Sequence, residues 1–69
     1  MNFNPKMVAA VAAEFGIDLD AASALLAELP DWKRASFIDY HGVAMRVTRD
    51  FDKSCVYAAE QLRNLLAHT

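Results

Sequence analysis

The sequence has little of the chemistry that stabilises small proteins or builds common active sites. It contains a single cysteine, Cys55, so no disulfide can form within one chain. Two histidines, His41 and His68, are too few and too far apart in sequence to indicate a metal centre. Its two glycines are also widely separated, which excludes a glycine-rich phosphate loop. We therefore expect no metal, no cofactor and no catalytic residues.

Long apolar runs and a basic leader followed by an apolar stretch are missing as well. The apolar runs fall far short of the roughly 20 residues that a membrane-spanning helix needs. A reducing compartment suits a chain with one unpaired cysteine. We expect a soluble protein in the cytoplasm, with Cys55 reduced and no contact with a membrane.

What the chain does have is a high apolar content for its size. The 69 residues form one small domain, residues 1–69, and 55% of them are hydrophobic, against roughly 45–50% in typical soluble domains. Alanine accounts for thirteen of them and contributes little area, so the surplus is moderate. A core this small rarely yields more than about 3–5 kcal/mol without a disulfide, a metal or a second subunit. Self-association is the stabilising device that remains.

Three segments have the apolar spacing and end signals of helices. The first is predicted over residues 5–15, because Asn4 can cap it, Pro5 suits its first position and Gly16 can end it. The second covers residues 19–29, capped by Asp18 or Asp20 and stopped by Pro30. The third covers residues 52–67, capped by Asp50 or Asp52. Their apolar stripes are Met7, Val8, Val11, Ala12 and Phe15; Ala21, Ala22, Leu25, Leu26 and Leu29; and Phe51, Cys55, Ala58, Ala59, Leu62, Leu65 and Leu66.

Residues 36–48 have a different pattern, which predicts a β-hairpin. Val43, Met45 and Val47 alternate with less apolar residues, the period of a half-buried strand. The turn is either a two-residue loop at 41–42 or a type I turn that Asp39 opens, with Gly42 in the left-handed position. A rival interpretation makes residues 31–41 a helix that Gly42 terminates. The preferred prediction is an α+β fold in the order α-α-β-β-α.

Candidate catalytic side chains have simpler structural roles. Cys55 lies on the apolar stripe of the last helix, so we expect a buried core residue. His41 is expected at an exposed hairpin tip. A protein-binding role is the better hypothesis, because an isolated two-stranded hairpin needs a partner for its edges. The interaction candidates are Trp32, Phe37, Tyr40, Met45, Arg46 and Tyr57, although the aromatic residues could equally pack in the core.

The expected function is a small adaptor, regulator or inhibitor of a bacterial or phage system, homodimeric through the hairpin. The alternative is a DNA-binding regulator, because "VAAVAAEFGIDLDAASALL" resembles the spacing of a helix-turn-helix motif. The hairpin would then be the wing of a winged helix, with Arg46 and Arg49 near phosphates. Against this, "DLDAASALLAEL" has no Arg, Lys, Asn or Gln to reach a base edge, and it carries acidic residues that repel phosphate. Residues 1–31 hold one basic residue against five acidic ones, whereas residues 32–69 hold six against four.

Overall fold

The computed structural model describes residues 3–68, and these fold into four α-helices. The helices are α1 (Pro5–Phe15), α2 (Leu19–Glu28), α3 (Asp31–Thr48) and α4 (Phe51–Ala67). The described residues contain no β-strand. The predicted α+β fold is therefore wrong, and the protein is an all-helical domain. None of these four helices combines the length and apolar character needed to cross a membrane.

Helix α1 has a side-chain cap at its start and a left-handed glycine at its end. The Oδ1 atom of Asn4 accepts a hydrogen bond from the backbone N–H of Lys6 at 2.9 Å, and Pro5 occupies the first helical position. Gly16 has φ 66°, and its N–H donates to the carbonyl of Ala12. This φ favours glycine because other residues are strained there.

Helices α2 and α4 are each capped by the first aspartate of a pair. Oδ1 of Asp18 accepts from the N–H of Ala21 at 2.7 Å, and Oδ1 of Asp50 accepts from the N–H of Lys53 at 3.0 Å. The second members, Asp20 and Asp52, lie in the first helical turns. A carboxylate in that position is stabilised by the positive end of the helix dipole.

The segment predicted as a hairpin, residues 36–48, lies within α3. The rival interpretation placed a helix over residues 31–41 but ended it at Gly42, whereas α3 runs through Gly42 to Thr48. The reason lies in which side chains are buried: Phe37, His41 and Ala44 recur at helical spacing and face the interior. Val43 and Val47 lie on the outer side of this helix. Their alternation with less apolar residues therefore does not mark the face of a strand, and the hairpin prediction that depended on it is wrong.

The core lies where α4 packs between α1 and α3, with α2 packed on α1. Phe37 brings α3 into this core, since its ring is fully buried and meets the ring of Phe3 edge to face at 6.0 Å between centroids. Small residues on α4 allow the helices to approach closely. The fully buried hydrophobic residues are Val11, Ala22, Leu26, Phe37, Cys55, Ala58, Ala59 and Leu62.

Candidate functional site

Helices α3 and α4 leave a shallow apolar groove between them on the surface. Its volume is about 190 Å³, and we call it the α3–α4 groove. It is lined by Val43, Ala44, Val47 and Thr48 of α3 and by Tyr57 of α4. The exposed fractions are 50% for Val43, 81% for Val47 and 40% for Tyr57. Large apolar side chains that are exposed together in a concave surface are typical of binding sites.

The turn between α3 and α4 holds one end of this groove in place. Arg49 adopts a left-handed conformation with φ 53°, and its N–H donates to the carbonyl of Met45. The fully buried Ser54 hydroxyl donates to the carbonyl of Asp50 at 2.7 Å and lies 3.0 Å from the Thr48 hydroxyl. The contact between the Thr48 and Ser54 hydroxyls joins the last turn of α3 to the first turn of α4. This junction fixes the positions of Val47 and Tyr57, which each lie one helical turn or less from it.

Charged side chains flank the groove on both helices. Asp39 and Arg46 lie on either side of Val43 along α3, and Lys53 and Glu60 lie on either side of Tyr57 along α4. Within residues 3–68, none of these four side chains forms an ion pair, and neither does that of Arg49. The ion pairs that the described residues do form lie elsewhere: Lys6 with Asp52, Arg34 with Asp31, and Arg63 with Glu14.

Three of the predicted interaction residues are buried or half-buried. Phe37 is fully buried and belongs to the core. Tyr40 is half-buried and packs against that core, and Met45 is half-buried as well. Burial of Phe37 leaves it unable to contact a partner in the folded protein.

The other three predicted interaction residues are exposed, in two places. Trp32 is 58% exposed at the start of α3, where Nζ of Lys33 lies 5.4 Å from the centroid of its ring. Arg46 and Tyr57 are exposed at the other end of α3 and on α4, beside and inside the α3–α4 groove. The structure therefore brings Arg46 and Tyr57 to one surface and leaves Trp32 apart from them.

Val43 and Val47 belong to this surface but were not among the sequence candidates. The hairpin prediction assigned them to one face of a half-buried strand. Their spacing of four residues would have placed them on one side of a helix, which is the signal that could have found them.

His41 was expected at an exposed turn tip, and this prediction is wrong. Its side chain lies inside α3's buried face and is 8% exposed. The imidazole packs edge to face on Phe51, with 4.7 Å between ring centroids, and its Nε2 atom has no hydrogen-bond partner among residues 3–68. The ring therefore contributes packing between α3 and α4 and no exposed functional group.

A second surface cavity, between α1 and α4, contains the buried Cys55 thiol in its lining. It measures about 340 Å³ and is bordered by Lys6, Ala9, Ala10, Asp52 and Val56. Burial of the thiol, and secondarily the negative charge of Asp52, raise the pKa of Cys55 above its ordinary value. The thiol stays protonated at neutral pH, so it is a poor nucleophile. Within residues 3–68, no three histidine, cysteine or acidic side chains are grouped closely enough to hold a metal ion.

Comparisons with known proteins return no match to a protein family, to a curated protein or to a solved structure.

Proposed function

We propose that this chain is a small non-enzymatic domain that binds another protein chain through the α3–α4 groove, acting as an adaptor, regulator or inhibitor. The observation that carries the proposal is the exposure of Val43, Val47 and Tyr57 side by side in one apolar groove. We propose the cytoplasm as its location, where the lone thiol of Cys55 stays reduced.

The composition of the groove supports a protein as the partner. An interface usually has an apolar centre, enriched in aromatic residues, inside a polar and charged rim. Tyr57 supplies a rigid aromatic ring with a hydroxyl, which is a frequent type of anchor in protein interfaces. Arg46 and Lys53, which form no ion pair within the described residues, supply a charged rim.

The DNA-binding alternative requires a hairpin to serve as the wing of a winged helix. Residues 36–48 are part of α3, so within residues 3–68 no hairpin follows the α1–α2 pair. Helix α2 carries Asp20 and Glu28 and no basic residue, and Asp18 caps it. Phosphates are repelled by such a helix, so we do not extend the proposal to nucleic acid.

Site-specific photo-crosslinking in cells of the source organism tests the proposal. The crosslinking residue p-benzoylphenylalanine replaces Val47 in one variant and Val56 in the matched control. Val56 is 52% exposed on α4 but borders the α1–α4 cavity instead of the groove. We expect a discrete crosslinked protein from position 47 and none from position 56. Adducts of equal yield at the two positions, or no adduct at position 47, would contradict the proposal.

A further inference from the structure

We propose that the occupant of the α3–α4 groove is a second copy of this chain, packed so that α3 faces α3 and α4 faces α4 in antiparallel directions. This inference rests on the proposed function and adds the identity and arrangement of the partner. The signs and spacing of the charges that flank the groove support a second copy as the occupant.

The two helices carry the same charge pattern with respect to the turn that joins them. On α3, Asp39 lies seven residues from Arg46; on α4, Glu60 lies seven residues from Lys53. Seven residues are close to two helical turns, so the members of each pair lie on one side of their helix, about 10 Å apart. In both helices the basic residue is nearer the α3–α4 turn and the acidic residue is farther from it.

The centres of the two charge pairs lie at the same height in the helix pair. The midpoint between Asp39 and Arg46 is between five and six residues before Thr48, the last residue of α3. The midpoint between Lys53 and Glu60 is between five and six residues after Phe51, the first residue of α4. Both midpoints are thus about 8 Å from the turn. A single axis perpendicular to the helices can therefore pass through both.

Two kinds of two-fold axis can place one groove on another, and the charges distinguish them. An axis parallel to the helices brings the two turn ends together, so that Arg46, Arg49 and Lys53 of both copies meet as like charges. An axis perpendicular to the helices places the turn end of each copy on the far end of the other. Arg46 then faces Asp39 of the second copy, and Lys53 faces Glu60. The pattern is self-complementary only in this antiparallel arrangement.

In this arrangement, apolar residues of the groove lie next to the two-fold axis. Val43 and Tyr57 are each within one residue of a charge-pair midpoint, so in the dimer each lies near its own copy across the axis. A standard interface covers roughly 800 Å² of each partner, close to a fifth of the 4423 Å² that the described residues expose. The groove alone offers only a few large apolar side chains, so we expect a weak dimer whose formation depends on salt.

A charge-swap experiment tests the antiparallel dimer. Sedimentation velocity at low salt is measured up to about 1 mM chain, a concentration that detects weak association. We expect the wild-type chain to dimerise. The variants Asp39→Arg and Arg46→Asp each place like charges opposite each other, so each alone should dimerise at least tenfold more weakly. In an equimolar mixture, the two basic residues of the Asp39→Arg chain face the two acidic residues of the Arg46→Asp chain. The mixture should therefore regain an affinity within about threefold of the wild type.

Controls separate this result from a loss of folding or a change in net charge. Glu28→Arg changes the net charge as Asp39→Arg does, lies on α2 away from the groove, and should dimerise like the wild type. Arg46 lies in the last turn of α3, where a carboxylate is unfavourable, so helical content is checked by circular dichroism. Should Arg46→Asp fail to fold, the pair Lys53→Glu and Glu60→Lys gives the same test on α4.

The outcomes distinguish this inference from the proposed function. A wild-type chain that stays monomeric at 1 mM, or a mixture that fails to regain affinity, overturns the antiparallel dimer. A crosslink from position 47 to a different protein, with a monomeric wild-type chain, would leave the proposed function standing and remove the second copy as the occupant. An adduct of twice the chain mass, together with restored dimerisation in the mixture, supports both.

Discussion

Helix α4 packs against α1 on one side and against α3 on the other, and the two junctions differ in how they use charge. At the α1 junction, Lys6 pairs with Asp52 at 3.2 Å and Arg63 with Glu14 at 3.5 Å. At the α3 junction, neutral hydroxyls form the cross-helix hydrogen bonds, and the flanking charges form no ion pair within residues 3–68. The first junction satisfies its charges within the chain, whereas the second leaves them available to another molecule.

The largest effect is expected where α3 enters the core. Phe37→Ala removes a fully buried ring and should lower the free energy of unfolding by about 3–5 kcal/mol, enough to unfold so small a domain. Val47→Ala, on the groove side of the same helix, should change it by less than about 0.5 kcal/mol because Val47 is 81% exposed. Urea unfolding of dilute protein, followed by circular dichroism, measures both.

Phe37→Leu keeps the comparison measurable if Phe37→Ala is unfolded throughout. It should cost about 1.5 kcal/mol, since a buried apolar side chain remains. Equal losses for Phe37→Leu and Val47→Ala would contradict the division of α3 into an inner face and a groove face.

The two glycines provide the next contrast, with effects of opposite sign. Gly42 lies inside α3 in a helical conformation, and a Cβ atom added there meets, outside its own helical turn, no atom of residues 3–68 within 4 Å. Gly42→Ala should therefore raise the free energy of unfolding by about 0.5–1 kcal/mol. Gly16→Ala should lower it by about 1 kcal/mol, because the φ of +66° at Gly16 strains other residues. Thermal and urea unfolding of the two variants measures these shifts.

Gly42→Ala also tests the helix against the hairpin that the sequence pattern favoured. A glycine that closes a hairpin in the left-handed conformation resists alanine, as Gly16 does at the end of α1. A loss of stability in Gly42→Ala, comparable to that in Gly16→Ala, would argue that Gly42 does not lie in a helix.

The sequence predicts helix ends well where local chemistry decides them. Asn4, Pro5 and Gly16 act through hydrogen bonds and backbone angles within a few residues, so the extent of α1 can be read without knowledge of the rest of the fold. Among the described residues, no side chain caps the start of α3 with a hydrogen bond, and a glycine lies in the middle of this helix. These local signals therefore predict that the helix ends near Gly42, although α3 continues to Thr48.

The inner face of α3 explains why tertiary packing decided its structure. Beside Phe37, the buried positions are His41 and Ala44, one polar and one small, which weakens the apolar stripe that marks an amphipathic helix. The large aliphatic side chains Val43 and Val47 lie outside instead. The sequence misses the groove for the same reason. When α3 is not recognised as a helix, the alternation of Val43 and Val47 with less apolar residues indicates a half-buried strand.

The smallest expected effect concerns the charges that distinguish the two junctions. Lys6→Ala removes the ion pair between Lys6 and Asp52. Both side chains are mostly exposed, so the substitution should lower the free energy of unfolding by about 0.5 kcal/mol at most. Arg46→Ala removes no ion pair among the described residues and should change the stability of dilute protein by no more than that. At high concentration the proposed dimer reverses the order of the two stability losses, because Arg46 lies in its interface and Lys6 does not. Urea unfolding at low and high chain concentration measures both, and a concentration dependence that is equally lost in Lys6→Ala would mean that the two junctions do not differ in this way.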